Sequence, residues 1–144
     1  MVRNIVKQSR DFSGKYRLVS FMGHGEPLLN KALPGMVKAV HDTQITQRIE
    51  IITNASLLTC ELSAALIDAG LTNLRISLQG VNADAYRRIS NRKLDYEKLL
   101  EQIEYYYKHK KQGGVFVKVL DISLGSGEDK QFTNSLIRYA IGCL

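Results

Sequence analysis

Cysteine is scarce in this chain of 144 residues: Cys60 lies near the middle, Cys143 beside the C-terminus, and there is no third. Two such residues make neither a disulfide framework nor a metal quartet, and they suit a reducing, cytoplasmic setting. Long apolar runs are missing too. No stretch approaches the roughly 18 residues of a membrane span, and Met1-Val2-Arg3-Asn4 opens into a polar run unlike a secretory signal. No membrane partner is therefore expected. Linkers and low-complexity tracts are also absent, so residues 1–144 read as a single domain.

What is present is the composition of a globular chain. Hydrophobic residues make up 44% and charged residues 24%, well away from disordered sequences. A chain of this size can bury roughly two-thirds of its unfolded surface, enough for a core without staples. Lys and Arg number 20 against 14 Asp and Glu, a net charge of +6 that admits nucleic acid or an anionic cofactor without requiring either. Much of the excess sits in Arg87, Arg88, Arg92 and Lys93, and in Lys108, Lys110 and Lys111. Both groups read first as solvated helix faces or ends.

Four short apolar runs are each followed by a segment of helical period: Tyr16 to Met22, Arg48 to Thr53, Asn73 to Gln79 and Val115 to Ile122. Their Val, Ile, Leu and Phe content is that of strands buried beneath helices. Pro34 opens a helix to about Asp42. Thr59 caps another over Leu62, Ala65, Leu66 and Ala69, closed by Gly70. Asn82 starts a short helix over Tyr86 and Ile89. Asp95 caps a long one through Leu99, Leu100, Ile103 and Tyr107, ending at Gly113-Gly114, and a last helix is expected from Glu128 to about Ile141. The alternation of strand and helix, four times over, predicts right-handed parallel crossovers and an α/β sheet.

Strand parity separates an open doubly wound sheet from a barrel. If Ile76 and Leu78 face the helices, then Arg75, Ser77 and Gln79 take the other face, as Glu50 does opposite Ile49 and Ile51, and Lys118 opposite Val117 and Val119. Helices on both faces would not tolerate those polar groups, whereas a barrel lumen that holds a ligand would. A partial barrel is expected.

In such folds function collects where strand C-termini meet the following loops. The first loop reads Gly23-His24-Gly25-Glu26-Pro27-Leu28-Leu29, with glycines for close backbone approach and Glu26 as an acceptor for an ammonium group. The second reads Thr53-Asn54-Ala55. The third strand brings Ser77 and Gln79, and the fourth Lys118. Singly, each has an ordinary structural explanation: a turn, a cap, a satisfied core hydroxyl. In order, at consecutive strand ends, they point to one site.

These residues also carry a resemblance. Phe21-Met22-Gly23-His24-Gly25-Glu26-Pro27-Leu28-Leu29 resembles the glycine-glycine-glutamate-proline motif of radical S-adenosylmethionine (SAM) enzymes. Ile51 to Thr59, Leu74 to Gly80 with Asp84 to Ile89, and Val117-Lys118-Val119 are similar to later phrases of the same family, over Leu18 to Leu124 in all. The resemblance implies a partial (β/α) barrel holding SAM against a [4Fe-4S] cluster, which cleaves SAM reductively to a 5'-deoxyadenosyl radical for substrate modification. It implies SAM contacts at Gly25, Glu26, Asn54 and Ser77, and substrate contacts at Thr53 and Lys118.

The chain departs from that pattern. The family's cluster needs three cysteines spaced Cys-x3-Cys-x2-Cys upstream of the glycine motif, and no cysteine precedes Gly23. Cys60 reads as a small buried side chain, His24 as a packing residue first and a cofactor contact second, and Ser90 stands where members commonly carry arginine. The chain therefore reads as a truncated radical SAM domain of four βα units, without the family's first and last strands or its metal ligands. It is expected to expose an edge strand and so to be weakly stable or to dimerise. Activity is expected of an intact parent enzyme; the alternatives are an inactive remnant and an RNA-modifying branch that binds RNA through the basic clusters. A peptide or small-molecule substrate is favoured, with RNA second.

Overall fold

The four apolar runs become four parallel strands. The computed structural model of the protein describes residues 2–9, 14–91 and 94–119. In it β1 (Val19–Phe21), β2 (Ile49–Thr53), β3 (Asn73–Leu78) and β4 (Gly114–Val119) form one sheet in that spatial order, every neighbouring pair parallel. Five helices accompany it: α1 (Val2–Ser9), α2 (Leu33–Asp42), α3 (Cys60–Asp68), α4 (Ala83–Ser90) and α5 (Tyr96–His109). This is the expected α/β, partial-barrel arrangement. The helix expected at Glu128 to Ile141, the end of the fourth run and Cys143 lie outside the described residues, as do Arg92 and Lys93.

Local chemistry sets the helix starts. Thr59 Oγ1 accepts from the Leu62 amide at 3.1 Å, Asn82 Oδ1 from the Ala85 amide at 2.8 Å and Asp95 Oδ1 from the Lys98 amide at 3.0 Å. Each cap occupies one of the donors that a helix N-terminus leaves unpaired. α2 begins one residue earlier than the proline suggested, with Pro34 inside its first turn.

Two elements differ from expectation. β1 is shorter than the run from Tyr16 because its partner bends: the Thr46 hydroxyl bonds the Arg48 amide at 3.1 Å, and Tyr16 keeps only an isolated bridge to Thr46 before pairing resumes at Val19. α1 forms where a polar run was read. Val2, Val6 and Ser9 recur at helical spacing, and that stripe packs against α2.

The core fills one face of the sheet. Ile51, Leu74 and Ile76 are inaccessible and pack with Val37 of α2, Leu66 of α3, and Ile103 and Tyr106 of α5. At about 25 cal/mol per Å² of apolar surface, this cluster is the main source of stability. Two hydroxyls inside it, Ser63 Oγ and Tyr106 Oη, are buried with no partner among the described residues. Removing an unpaired buried hydroxyl removes its desolvation cost, so Ser63→Ala and Tyr106→Phe should each raise stability by about 1 kcal/mol. The check is a higher urea midpoint at unchanged slope. Burial also pushes the Tyr106 phenol far above its ordinary range. Its contribution is therefore intact below pH of about 10 and fades as alkali ionises the unfolded chain, a fade that Tyr106→Phe should abolish.

Candidate functional site

The other face of the sheet is polar, as parity required. Ser20, Glu50 and Arg75 occupy it on successive strands: Ser20 Oγ donates to Glu50 Oε1 at 3.3 Å, and Arg75 Nε and Nη2 both donate to Glu50 Oε2, at 3.3 and 3.1 Å. The Arg75 guanidinium also lies 5.4 Å over the Phe116 ring. Ser77 sits in register with Lys118 one step further along. Lys118 is exposed and Ser77 half-buried.

Beyond the strand ends, the loops build a cleft. The chain leaves β1 through Gly25, whose φ of +132° suits a residue without Cβ. It then enters a 3-10 turn at Pro27–Leu29 that Glu26 caps through the Leu28 amide at 3.0 Å. Glu26 reaches past its own loop. Its Oε1 accepts from the Thr53 hydroxyl at 2.5 Å, and its Oε2 from the Asn54 amide at 2.9 Å. One carboxylate thus ties the loop after β1 to the loop after β2. Asn54 in turn folds its own loop, Oδ1 accepting from the Ser56 amide at 2.9 Å.

A cleft of about 630 Å³ opens beside this tie, lined by Gly25, Glu26, Asn54 and Gln79 together with Leu29, Ser56, Tyr86, Ser90 and Leu94. That volume lies in the range of small-molecule sites. α4 supplies Tyr86 and Ser90 one helical turn apart, the Ser90 hydroxyl donating to the Tyr86 carbonyl at 2.7 Å. The helix can sit this close because of Gly80: a Cβ there would lie 2.3 Å from the Tyr86 amide nitrogen.

The candidate residues therefore divide. Gly25, Glu26 and Asn54 meet in the cleft, with Gln79. Thr53 does not line it: it is 3% exposed, and its hydroxyl donates to Glu26 and accepts from the Ala55 amide at 2.9 Å. Ser77 and Lys118 lie on the polar sheet face, paired with each other, with Ser77 two residues before Gln79. His24 is exposed on a neighbouring hollow with Met22 and Pro27 instead of packing, since among the described residues no element covers that loop. Cys60 is only half-buried, its thiol donating to Gln102 Oε1 at 3.3 Å across α3 and α5. Tyr86, Ser56 and Leu94 were not singled out as cleft residues; the i, i+4 spacing of Tyr86 and Ser90 behind a glycine turn was the signal for α4.

The basic clusters resolve differently. Arg87 and Arg88 are exposed on α4. Lys108 pairs with Glu104, Lys111 with Asp68 at 2.8 Å, and Lys110 donates to the Gly113 carbonyl at 3.0 Å. The second cluster is thus a helix end engaged with its own chain. Among the described residues no helix is long and apolar enough to cross a membrane.

The profile of the family described as "Radical SAM superfamily" matches residues 2–132. A GTP 3',8-cyclase of Staphylococcus carnosus is 32% identical over 81 residues, 56% of this chain and 24% of that protein. A PqqA peptide cyclase of Rhodopseudomonas palustris is 42% identical over 71 residues, 49% of this chain and 18% of that protein. The chain thus aligns to about a quarter or less of these relatives' lengths. A solved structure of TYW1 with a lysine-pyruvate adduct bound superposes with a TM-score of 0.60 at 21% identity, covering 96% of this chain and 47% of that one. That likeness concerns the fold.

Proposed function

We infer, from the premise that this chain belongs to the radical SAM superfamily, that its cleft binds SAM as part of an enzyme that modifies its substrate by reductive SAM cleavage. The observation that carries the reading is the meeting of Gly25, Glu26, Asn54 and Gln79 in one cleft of about 630 Å³ at the ends of parallel strands. The donor set fits the ligand. SAM presents an ammonium, a carboxylate, a ribose and an adenine; the Gly25 backbone and the remaining lone pair of Glu26 suit the first. The Asn54 and Gln79 amides and the Ser56 and Ser90 hydroxyls suit the polar remainder. Leu29, Leu94 and the Tyr86 ring supply apolar walls for the base. When bound and cleaved, SAM supplies a radical that abstracts a substrate hydrogen. Thr53 acts behind the wall, holding Glu26, while Ser77 and Lys118 face the side from which substrate approaches.

The iron–sulfur cluster does not fit the residues present. Its three thiolates exceed the two cysteines of the sequence, and no group of three metal-binding side chains occurs among the described residues. No step is derived through it. That mismatch supports a second reading, a SAM-binding remnant without redox chemistry. Anaerobic reconstitution with iron and sulfide separates the two: stable cluster absorption with this chain alone contradicts the remnant. The substrate class favoured is a small molecule or peptide, with RNA second. A cytoplasmic setting, a single truncated domain and self-association through an outer strand belong to the same reading.

The direct test is calorimetric titration of SAM into the 144-residue chain. Saturable binding is expected, weakened about tenfold by Asn54→Ala and by Gln79→Ala, the loss of one or two hydrogen bonds each. Absence of saturable binding overturns the reading.

A further inference from the structure

We propose that the polar face of the sheet carries a phosphate-binding site built on Arg75, Lys118 and Ser77, so that the substrate is a phosphorylated molecule. This deepens the proposed function and rests on its assignment of that face to the substrate. The starting observation is how Arg75 is held. Its Nε and Nη2 both bond the same Glu50 oxygen, its planar head covers the Phe116 ring, and Ser20 braces the other Glu50 oxygen. Glu50 is 5% exposed, yet the Arg75 side chain is 41% exposed.

Such an arrangement contributes little to stability, because desolvating the carboxylate offsets the attraction. What it yields is orientation. A guanidinium carries five N–H groups, and two are used here. The others belong to a head fixed on one edge and one face, with the rest open to solvent. A fixed planar cation loses little freedom on meeting an oxyanion.

Register supplies the remaining donors. Arg75 pairs with Phe116, and Ser77 with Lys118, two positions further along the same face. With strands 4.8 Å apart and a rise of 3.3 Å per residue, the Arg75 and Lys118 backbones lie roughly 8 Å apart on one face, a span that the long Lys118 side chain can cover. Lys118 has no ion-pair partner, and the Ser77 hydroxyl no hydrogen bond, among the described residues. With Glu50 neutralising one cation, the face keeps a net positive charge. Guanidinium, ammonium and hydroxyl come from two strands and carry more donors and more positive charge than one carboxylate can use. They match a tetrahedral dianion better than a flat carboxylate.

The test titrates inorganic pyrophosphate into the 144-residue chain at low salt, without SAM or metal. Saturable binding is expected, with about tenfold loss in Lys118→Gln and in Arg75→Lys, which keeps the charge but not the fork. Lys38→Gln, which removes a cation paired with Asp42 on α2, should leave binding unchanged. Lys118 is exposed, so its variant reads the site even if Arg75→Lys fails to fold. Three results overturn the proposal: no saturable binding, an equal loss in Lys38→Gln, or malonate bound as tightly as pyrophosphate. SAM titration of the same variants keeps the two readings apart, since Lys118→Gln should leave SAM affinity intact whether or not pyrophosphate binds.

Discussion

Replacing Glu26 by alanine is expected to cost the chain about 3–5 kcal/mol and to abolish ligand binding in the cleft, the largest effect of any single exposed-loop substitution. The Glu26 carboxylate accepts from the Thr53 hydroxyl, the Leu28 amide and the Asn54 amide. Hydrogen bonds to a charged group contribute about 1.5–3 kcal/mol each, and the three are coupled, so the total falls below their sum. Thr53 lies nearly inaccessible, and its hydroxyl would lose its acceptor where water cannot replace it. Glu26→Gln keeps one carbonyl acceptor and should lose roughly half as much. The urea midpoint at constant slope measures both. Thr53→Val separates positioning from contact. It removes a bond to Glu26 without touching the cleft surface, and it should weaken SAM binding while a mere wall residue would not.

The second large effect concerns Arg75. Arg75→Met strands the Glu50 carboxylate beneath the surface and should cost about 3 kcal/mol, toward the low end for a buried pair because the guanidinium is partly exposed. The double substitution Glu50→Leu with Arg75→Met removes both charges and should restore most of that loss. A double-mutant cycle on urea-unfolding free energies gives the coupling directly. If the double variant is as stable as the natural chain yet no longer binds pyrophosphate, the pair serves recognition and not folding. If it remains as unstable as Arg75→Met, the pair is structural.

Much of this was legible in the residues because the signals were local. The caps Thr59, Asn82 and Asp95 work through donors three residues away, so their side chains alone marked the starts of α3, α4 and α5. Parity was equally local: Ile76 and Leu78 are buried, and Arg75 and Ser77 are not. The same rule applied one step further would have put Thr53 with Ile49 and Ile51 on the core side, away from any substrate. What could not be read depends on distant partners. α1 exists because α2 covers its valines, and β1 is short because residues 46–48 bend. Glu26 joins two loops 27 positions apart, a pairing no sequence window contains.

Gly80 contributes no side chain to anything bound, yet it governs the girth of what can enter. A single methyl there would press against the Tyr86 amide and the Ala85 carbonyl carbon, forcing the first turn of α4, and Tyr86 and Ser90 with it, outward from Asn54. The calibre of the entrance is thus tuned at a distance, by a hydrogen atom on the far side of the wall.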